Sequence, residues 1–407
     1  MTISAIVSDL DNTRSYREEL YKFFHQHPEL SLQEFETSKR IISELESYGV
    51  ESIQRIGDTG VVAVISNGDG PVVALRGDID ALPMAERSGK EYAATGATQV
   101  DNNTGQETPV AHTCGHDVHI SSLLGAVQAF NSHRELWNGT LMAVFQPAEE
   151  TAAGARMMVE EGIVEKLSAP DVYLGQHVLG SLPGGAVGTR VGAVMSEAAS
   201  IEITLHGKGS HGSMPNLGVD PIVLGSAIVT RLQSVISREI AASETAVLTV
   251  GSFHAGTKSN IIPDSAVLQL NTRAFSKDVA AHLHEAIERI VRSECAAARC
   301  PEPPEFEYYD QYPVTSNDES VTAHVRAAFD DFFGENSVDL AQVPASEDFS
   351  IIPDAFGIPY SYWGLGGFAD QQNAPGNHSP AFAPDMQPTL DRGVEALVVA
   401  ASAWLVK

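Results

Sequence analysis

The sequence predicts an α/β domain built on a mainly parallel sheet and interrupted by an inserted α+β unit. Up to about residue 187, short apolar runs alternate with helical stretches, the pattern of a mostly parallel sheet covered by helices. From Gly188 the order becomes strand, helix, strand, strand, helix, strand (βαββαβ), a self-contained α+β unit. After Asn317 the first pattern resumes. A chain of 407 residues is long enough for two domains.

Residues 12–26 read as a helix, with Tyr16, Leu20, Phe23 and Phe24 on one apolar stripe. His27-Pro28-Glu29 ends it, because a residue preceding proline is pushed out of the helical region. A second helix is expected over 37–48. GVVAVIS at 60–66 and VVALRGDID at 72–80 read as strands bounded by Gly and Asp. A helix over 117–131, a strand at 141–146, a helix at 151–161 and a strand at 173–178 follow. The inserted unit reads as strand 199–206, helix 221–239, strands 246–253 and 265–274, helix 276–298 and strand 305–312. Helices at 318–333 and 386–404 complete the chain. The expected division is a discontinuous outer domain, 1–187 with 313–407, around an inner domain at 188–312.

The net charge of −28 repels nucleic acid and anionic membrane surfaces, which excludes both as partners. No apolar run reaches the length of a membrane span. Met1 to Asp11 lacks a basic start followed by an apolar stretch, so the expected location is cytoplasmic. Three cysteines in so long a chain do not make a disulfide framework. Cys295 and Cys300 lie in a helical stretch and read as filler, whereas Cys114 keeps different company.

HTCGHDVH places His112, Cys114, His116 and His119 before or at the start of an apolar helix. Cys114 and His116 are two apart, so a loop must present them together. Thiolate beside imidazole suits a borderline-soft ion such as zinc. The alternative, polar residues opening a helix, would serve for a pair better than for four. FQPAEE sets Glu149 and Glu150 just after a strand, where open α/β sheets carry their sites. GQHV and GNHS each offer one histidine, His177 and His378, and a lone histidine is more often structural. GKGSHGSMP contains Gly207, Gly209 and Gly212 in dinucleotide-binding spacing. Pro215 follows at once and the next helix starts only near Asp220, so an oxidoreductase is rejected. No GxSxG elbow supports a serine hydrolase.

In this order, HQHPELSLQEFET (25–37), RGDIDALPMAE (76–86), HTCGHDVH, FQPAEE, GQHV, GKGSHGSMP, NIIPD (260–264), NTRAF (271–275), SEDF (346–349) and GNHSP resemble the dinuclear metallo-amidohydrolases. That family includes aminoacylases, hippurate hydrolases and plant indole-acetyl-amino-acid hydrolases, with carboxypeptidase G as a relative. Bacterial aminoacylases that cleave N-acylglutamine look most alike. The resemblance implies a zinc-peptidase-like catalytic domain and an inserted lid through which subunits form a homodimer, or a homotetramer. It implies two divalent ions per chain, zinc first, with manganese, cobalt or nickel as substitutes. Cys114 would bridge them, His116 and His177 completing one and Glu150 and His378 the other. Glu149 would be the general base and Asp80 would orient a ligand histidine. His211, Asn260 and Arg273 would hold the substrate, with His211 also stabilising the oxyanion. RGDID departs from the usual RADMD, and GSMP from AAMP, which leaves the acyl preference open. The implied reaction is hydrolysis of the amide bond of an N-acyl amino acid. A metallo-dipeptidase or carboxypeptidase acting on short peptides is the nearest alternative. A metal-dependent binding protein without turnover is the alternative from another class.

Overall fold

The computed structural model describes residues 2–406; Met1 and Lys407, the ends of the expected outer domain, lie outside them. The chain divides into two compact units. One comprises Met1–Val194, Ser316–Gln342 and Asp348–Lys407; the other comprises Met195–Thr315 and Val343–Glu347. Among the described residues, no helix is long and apolar enough to cross a membrane.

The first unit holds an eight-stranded sheet. Its strand order is Ser52–Ile56, Gly60–Asn67, Gly139–Gln146, Val72–Asp78, Val172–Pro183, Tyr360–Phe368, Val187–Thr189, Ser337–Asp339. The centre is parallel: Val72–Asp78 runs with Gly139–Gln146 and with Val172–Pro183, which runs with Tyr360–Phe368. The flank at Gly60–Asn67 is antiparallel. At the other flank, Val187–Thr189 runs antiparallel to Tyr360–Phe368 and parallel to Ser337–Asp339. That pairing keeps residues 188–194 with this unit. Near-continuous apolar runs such as Val61–Ala63 and Val73–Leu75 are fully buried, as strands inside a covered sheet must be. Helices His116–Ser132 and Met386–Leu405 contribute Ile120, Leu123, Val127, Val394 and Leu397 to the same core.

Register brings the functional segments to one edge. Asp78 lies opposite Gln146, Arg76 opposite Gly175, and Gly364 opposite His177. Asp80 and Glu149 therefore lie just past the carboxyl ends of Val72–Asp78 and Gly139–Gln146, where such sheets place their ligands, and His177, two residues beyond Gly175, is level with the first of those ends. The sheet's strands Ser52–Ile56, Val187–Thr189 and Ser337–Asp339 go beyond the sequence reading, and two further differences bear on the site. The stretch expected as one helix over 151–161 is a 3-10 turn, Glu149–Thr151, followed by a helix at Gly154–Glu160. Ala152, at φ +54, breaks the continuity. The strand Tyr360–Phe368 is buried on both faces, so it has no alternation by which to be read.

The second unit is a four-stranded antiparallel sheet in the order Ala246–Ala255, Ser265–Ala274, Glu197–His206, Glu305–Tyr312. Alternate residues Ile201, Ile203 and Leu205 are buried against Leu224, Ile228 and Leu232 of helix Pro221–Arg238 and Leu283 and Ile287 of helix Lys277–Ala298. Asp220 and Ser276 cap these helices through their side chains. The segment 207–212 runs into a two-residue strand, Ser210–His211, paired with Ile261–Ile262. Only a 3-10 turn, Pro215–Leu217, intervenes before the α-helix at Pro221, so its glycines do not open a dinucleotide-binding strand-turn-helix.

Candidate metal centre

Gly115 makes the arrangement of Cys114 and His116 attainable. It takes φ +86, and a Cβ there would lie 2.4 Å from Val178 Cγ1. The chain thus reverses between a buried Cys114 and His116, the first residue of the helix. Two further site residues depend on left-handed backbone at residues that carry a Cβ, Ala148 at φ +48 and His378 itself at φ +65. Such conformations are uncommon and concentrate at functional sites.

The candidate ligand atoms of Cys114, His116 and His177 all lie within 4.8 Å of one another, and so do those of Cys114, Glu150 and His378. Cys114 belongs to both groups. Its Sγ is 3.5 Å from His177 Nε2. His378 Nε2 is 3.2 Å from Glu150 Oε2, and His116 Nε2 is 3.7 Å from Glu150 Oε1. Glu149 is buried, with Oε2 3.9 Å from His116 Nε2.

Hydrogen bonds decide which imidazole nitrogens are available. His116 Nδ1 donates to Asp80, with the backbone oxygen at 2.9 Å and Oδ1 at 3.1 Å. His177 Nδ1 donates to the Val178 carbonyl at 2.9 Å. In each ring Nε2 is left for a ligand role, the arrangement that metal-binding histidines adopt. Asp80 Oδ2 accepts from Ser31 Oγ at 2.7 Å and from the Glu150 N–H at 3.0 Å. His119 is different. Its Nδ1 is bonded to Asp78 and its Nε2 accepts the Val178 N–H at 2.9 Å, so both nitrogens are committed. His112 is buried with neither ring nitrogen hydrogen-bonded among the described residues, and burial brings its pKa down to about 4, keeping it neutral.

The donor set fits a cation. His116 Nε2 and Glu150 Oε1 are buried without a hydrogen-bond partner among the described residues, which a native structure seldom tolerates. Burial pushes the Cys114 thiol up, and Glu150 adds to the shift, so an uncompensated thiolate is disfavoured. Hydrogen bonds with Cys114 and Glu150 push His378 up to about 10, a positive charge where a metal's charge would otherwise serve. Burial holds His177 neutral, the form that coordinates. Asp78, His116 and His119 form a third such group, but Asp78 is already engaged by the buried Arg76 guanidinium at 2.6 Å and by His119.

The remaining expected residues lie in the second unit. His211 is exposed, its Nδ1 2.8 Å from Ser213 Oγ. The Gly212 N–H donates to the Asn260 carbonyl at 2.8 Å, so the His211 loop and Asn260 are neighbours. A Cβ at Gly212 would meet the Asn260 backbone at 3.1 Å. Arg273 donates to the Pro344 carbonyl and to Ser346 Oγ, both at 3.0 Å, and forms no ion pair among the described residues.

Three features escaped the sequence reading. Asn377, inside GNHSP, donates toward Cys114 and Val178. Arg76 joins Asp78, Gln146 and Asp348 beneath the site. His25 stands between Asp117 at 2.6 Å and Glu86 at 3.0 Å, with all three side chains buried. Each lies in a quoted motif, but apart from Arg76 with Asp78 the partners are distant in sequence and nothing in linear order pairs them.

The chain matches the model of peptidase family M20/M25/M40 over residues 74–403. It is 36% identical to an N-acetylcysteine deacetylase of Bacillus subtilis (strain 168) over 380 residues, 92% of this chain and 91% of that protein. It is 35% identical to IAA-amino acid hydrolase ILR1-like 4 of Arabidopsis thaliana, over 88% of this chain and 79% of the plant protein. Its fold matches the crystal structure of the Bacillus subtilis YXEP protein, described as a dinuclear metal binding peptidase from the M20 family. The TM-score is 0.78 at 30% identity, over 96% of this chain and 98% of that one. With these extents of likeness, and a site of thiol, imidazole and carboxylate donors within its matched span, the chain belongs to peptidase family M20/M25/M40.

Proposed function

We propose that this protein is a metal-dependent amidohydrolase that cleaves the amide bond of N-acyl amino acids, releasing a carboxylic acid and a free amino acid. The observation that carries the reading is Cys114 standing in two donor groups at once, with His116 and His177 on one side and Glu150 and His378 on the other. These five residues would hold two divalent ions, zinc by the chemistry of the donors, with manganese, cobalt or nickel as substitutes. Ions held there supply Lewis acidity, which polarises a carbonyl and makes water nucleophilic near neutral pH.

The chain's own residues supply the rest. Glu149, buried beside His116, takes the proton of the attacking water and returns it to the departing amine. Asp80 fixes the His116 ring and the Glu150 backbone together. His211 stabilises the developing oxyanion, and Arg273 with Asn260 receives the α-carboxylate, a group that a guanidinium fork suits. The second unit serves as lid and dimer contact, the first as catalytic domain, in a cytoplasmic homodimer. Support for N-acyl amino acids as substrates comes from the names of two relatives, an N-acetylcysteine deacetylase and an IAA-amino acid hydrolase. The test is release of free amino acid from a panel of N-acetyl, N-indoleacetyl and dipeptide substrates, with metal-loaded protein. Faster cleavage of dipeptides across the panel would replace this reading with a peptidase.

A further inference from the structure

We infer that Asn377 is a positioning residue for the thiolate of Cys114, through one side-chain amide shared by three acceptors on two separate segments. Asn377 Nδ2 lies 3.2 Å from the Cys114 carbonyl, 3.1 Å from the Val178 carbonyl and 3.8 Å from Cys114 Sγ. An amide nitrogen has two hydrogens to give, so it can serve both carbonyls, or one carbonyl and the sulfur, without leaving the site.

Each contact falls on a part that the metal reading needs. The Val178 carbonyl also accepts from His177 Nδ1, the bond that aims His177 Nε2 at Cys114. The next residue along the chain, His378, donates its backbone N–H to the Thr113 carbonyl at 2.9 Å. Asn377 and that backbone bond together tie the GNHS loop to the segment carrying Cys114 and to the strand carrying His177. Three of the five proposed ligands are thereby fixed relative to one another. The N–H···S contact adds an electronic effect. A donor on a thiolate lowers the energy of its lone pairs, as hydrogen bonds around metal-bound sulfur do. Glutamine is too long to make these contacts in place, and an aliphatic residue makes none of them.

This rests on Cys114 binding metal, so the experiment separates the two ideas. The protein is stripped and reloaded with cobalt(II), and the thiolate-to-cobalt charge-transfer band is recorded for wild type, Cys114→Ala, Asn377→Ala and Asn377→Asp. Asn377→Asp keeps the shape of the side chain and serves if the alanine variant does not fold. Both Asn377 variants should move the band to lower energy and weaken cobalt binding about 10–100-fold, as loss of an outer partner does. Aspartate should have the larger effect because it also repels the thiolate. A wild-type band that persists in Cys114→Ala would overturn the metal reading itself. A wild-type band lost in Cys114→Ala but unchanged in both Asn377 variants, with unchanged cobalt affinity, would overturn the role of Asn377 alone.

Discussion

Asp80 accepts the Nδ1–H of His116 through its carboxylate at 3.1 Å and its backbone oxygen at 2.9 Å, and so decides which nitrogen of a buried imidazole faces Glu150. Removing it should cost metal before it costs fold. Asp80→Ala is expected to weaken zinc retention about 10–100-fold, read by competition with a fluorescent chelator. An unchanged competition curve would mean that the backbone oxygen of residue 80 orients the ring unaided.

Cys114 is a free, buried thiol, as are Cys295 and the half-buried Cys300 in lacking a disulfide. Elemental analysis should find Cys114→Ala depleted of metal and inactive in parallel. Cys295→Ala and Cys300→Ala should retain both metal and activity, since the two lie in the second unit around the end of helix Lys277–Ala298. Two metals and full turnover in Cys114→Ala would remove the bridge.

His25 gives a pH signature. Burial opposes its charge, but hydrogen bonds to Asp117 and Glu86 prevail and raise its pKa from 6.5 to about 9. A group with a raised folded pKa stabilises fully below its unfolded pKa, and that contribution is lost as pH climbs from 6.5 through about 9. The shift corresponds to about 3 kcal/mol. Denaturant unfolding of the metal-free protein should therefore show stability falling across that window, and His25→Gln should flatten the slope. An equal slope in the variant would show that other groups set it.

The fold and the ligand set differ in how far linear order reveals them. Val61–Ala63, Val73–Leu75 and the stripe of Ile201, Ile203 and Leu205 announce their strands by apolar patterning. HTCGHDVH announces a cluster because four donors fall within eight residues. Which of the four are available does not follow from spacing. His119, on a helix, is occupied by Asp78 and by the Val178 N–H, partners on two separate strands. Asn377 meets Cys114 across 263 positions of sequence. Strand Tyr360–Phe368, rich in glycine and buried throughout, carries neither alternation nor a turn signal. Local periodicity reports burial, whereas a hydrogen-bond partner is a property of register and topology.

His211 belongs to the second unit, and all five proposed ligands belong to the first. If His211 serves the partner subunit's site, two inactive variants should complement. Glu149→Gln and His211→Ala, unfolded and refolded together, should regain activity, because one site of each mixed dimer would hold both groups. Mixed dimers without recovered activity would place His211 in its own chain's site.

If amide hydrolysis here requires metal held around Cys114, as proposed, turnover must follow metal occupancy. The measurement is turnover of an N-acyl amino acid by chelator-stripped protein during stepwise addition of zinc, with bound metal counted at each step. No turnover in metal-free protein, returning as zinc binds and levelling off at about two ions per chain, is the predicted result. Turnover by protein demonstrably free of metal would contradict it.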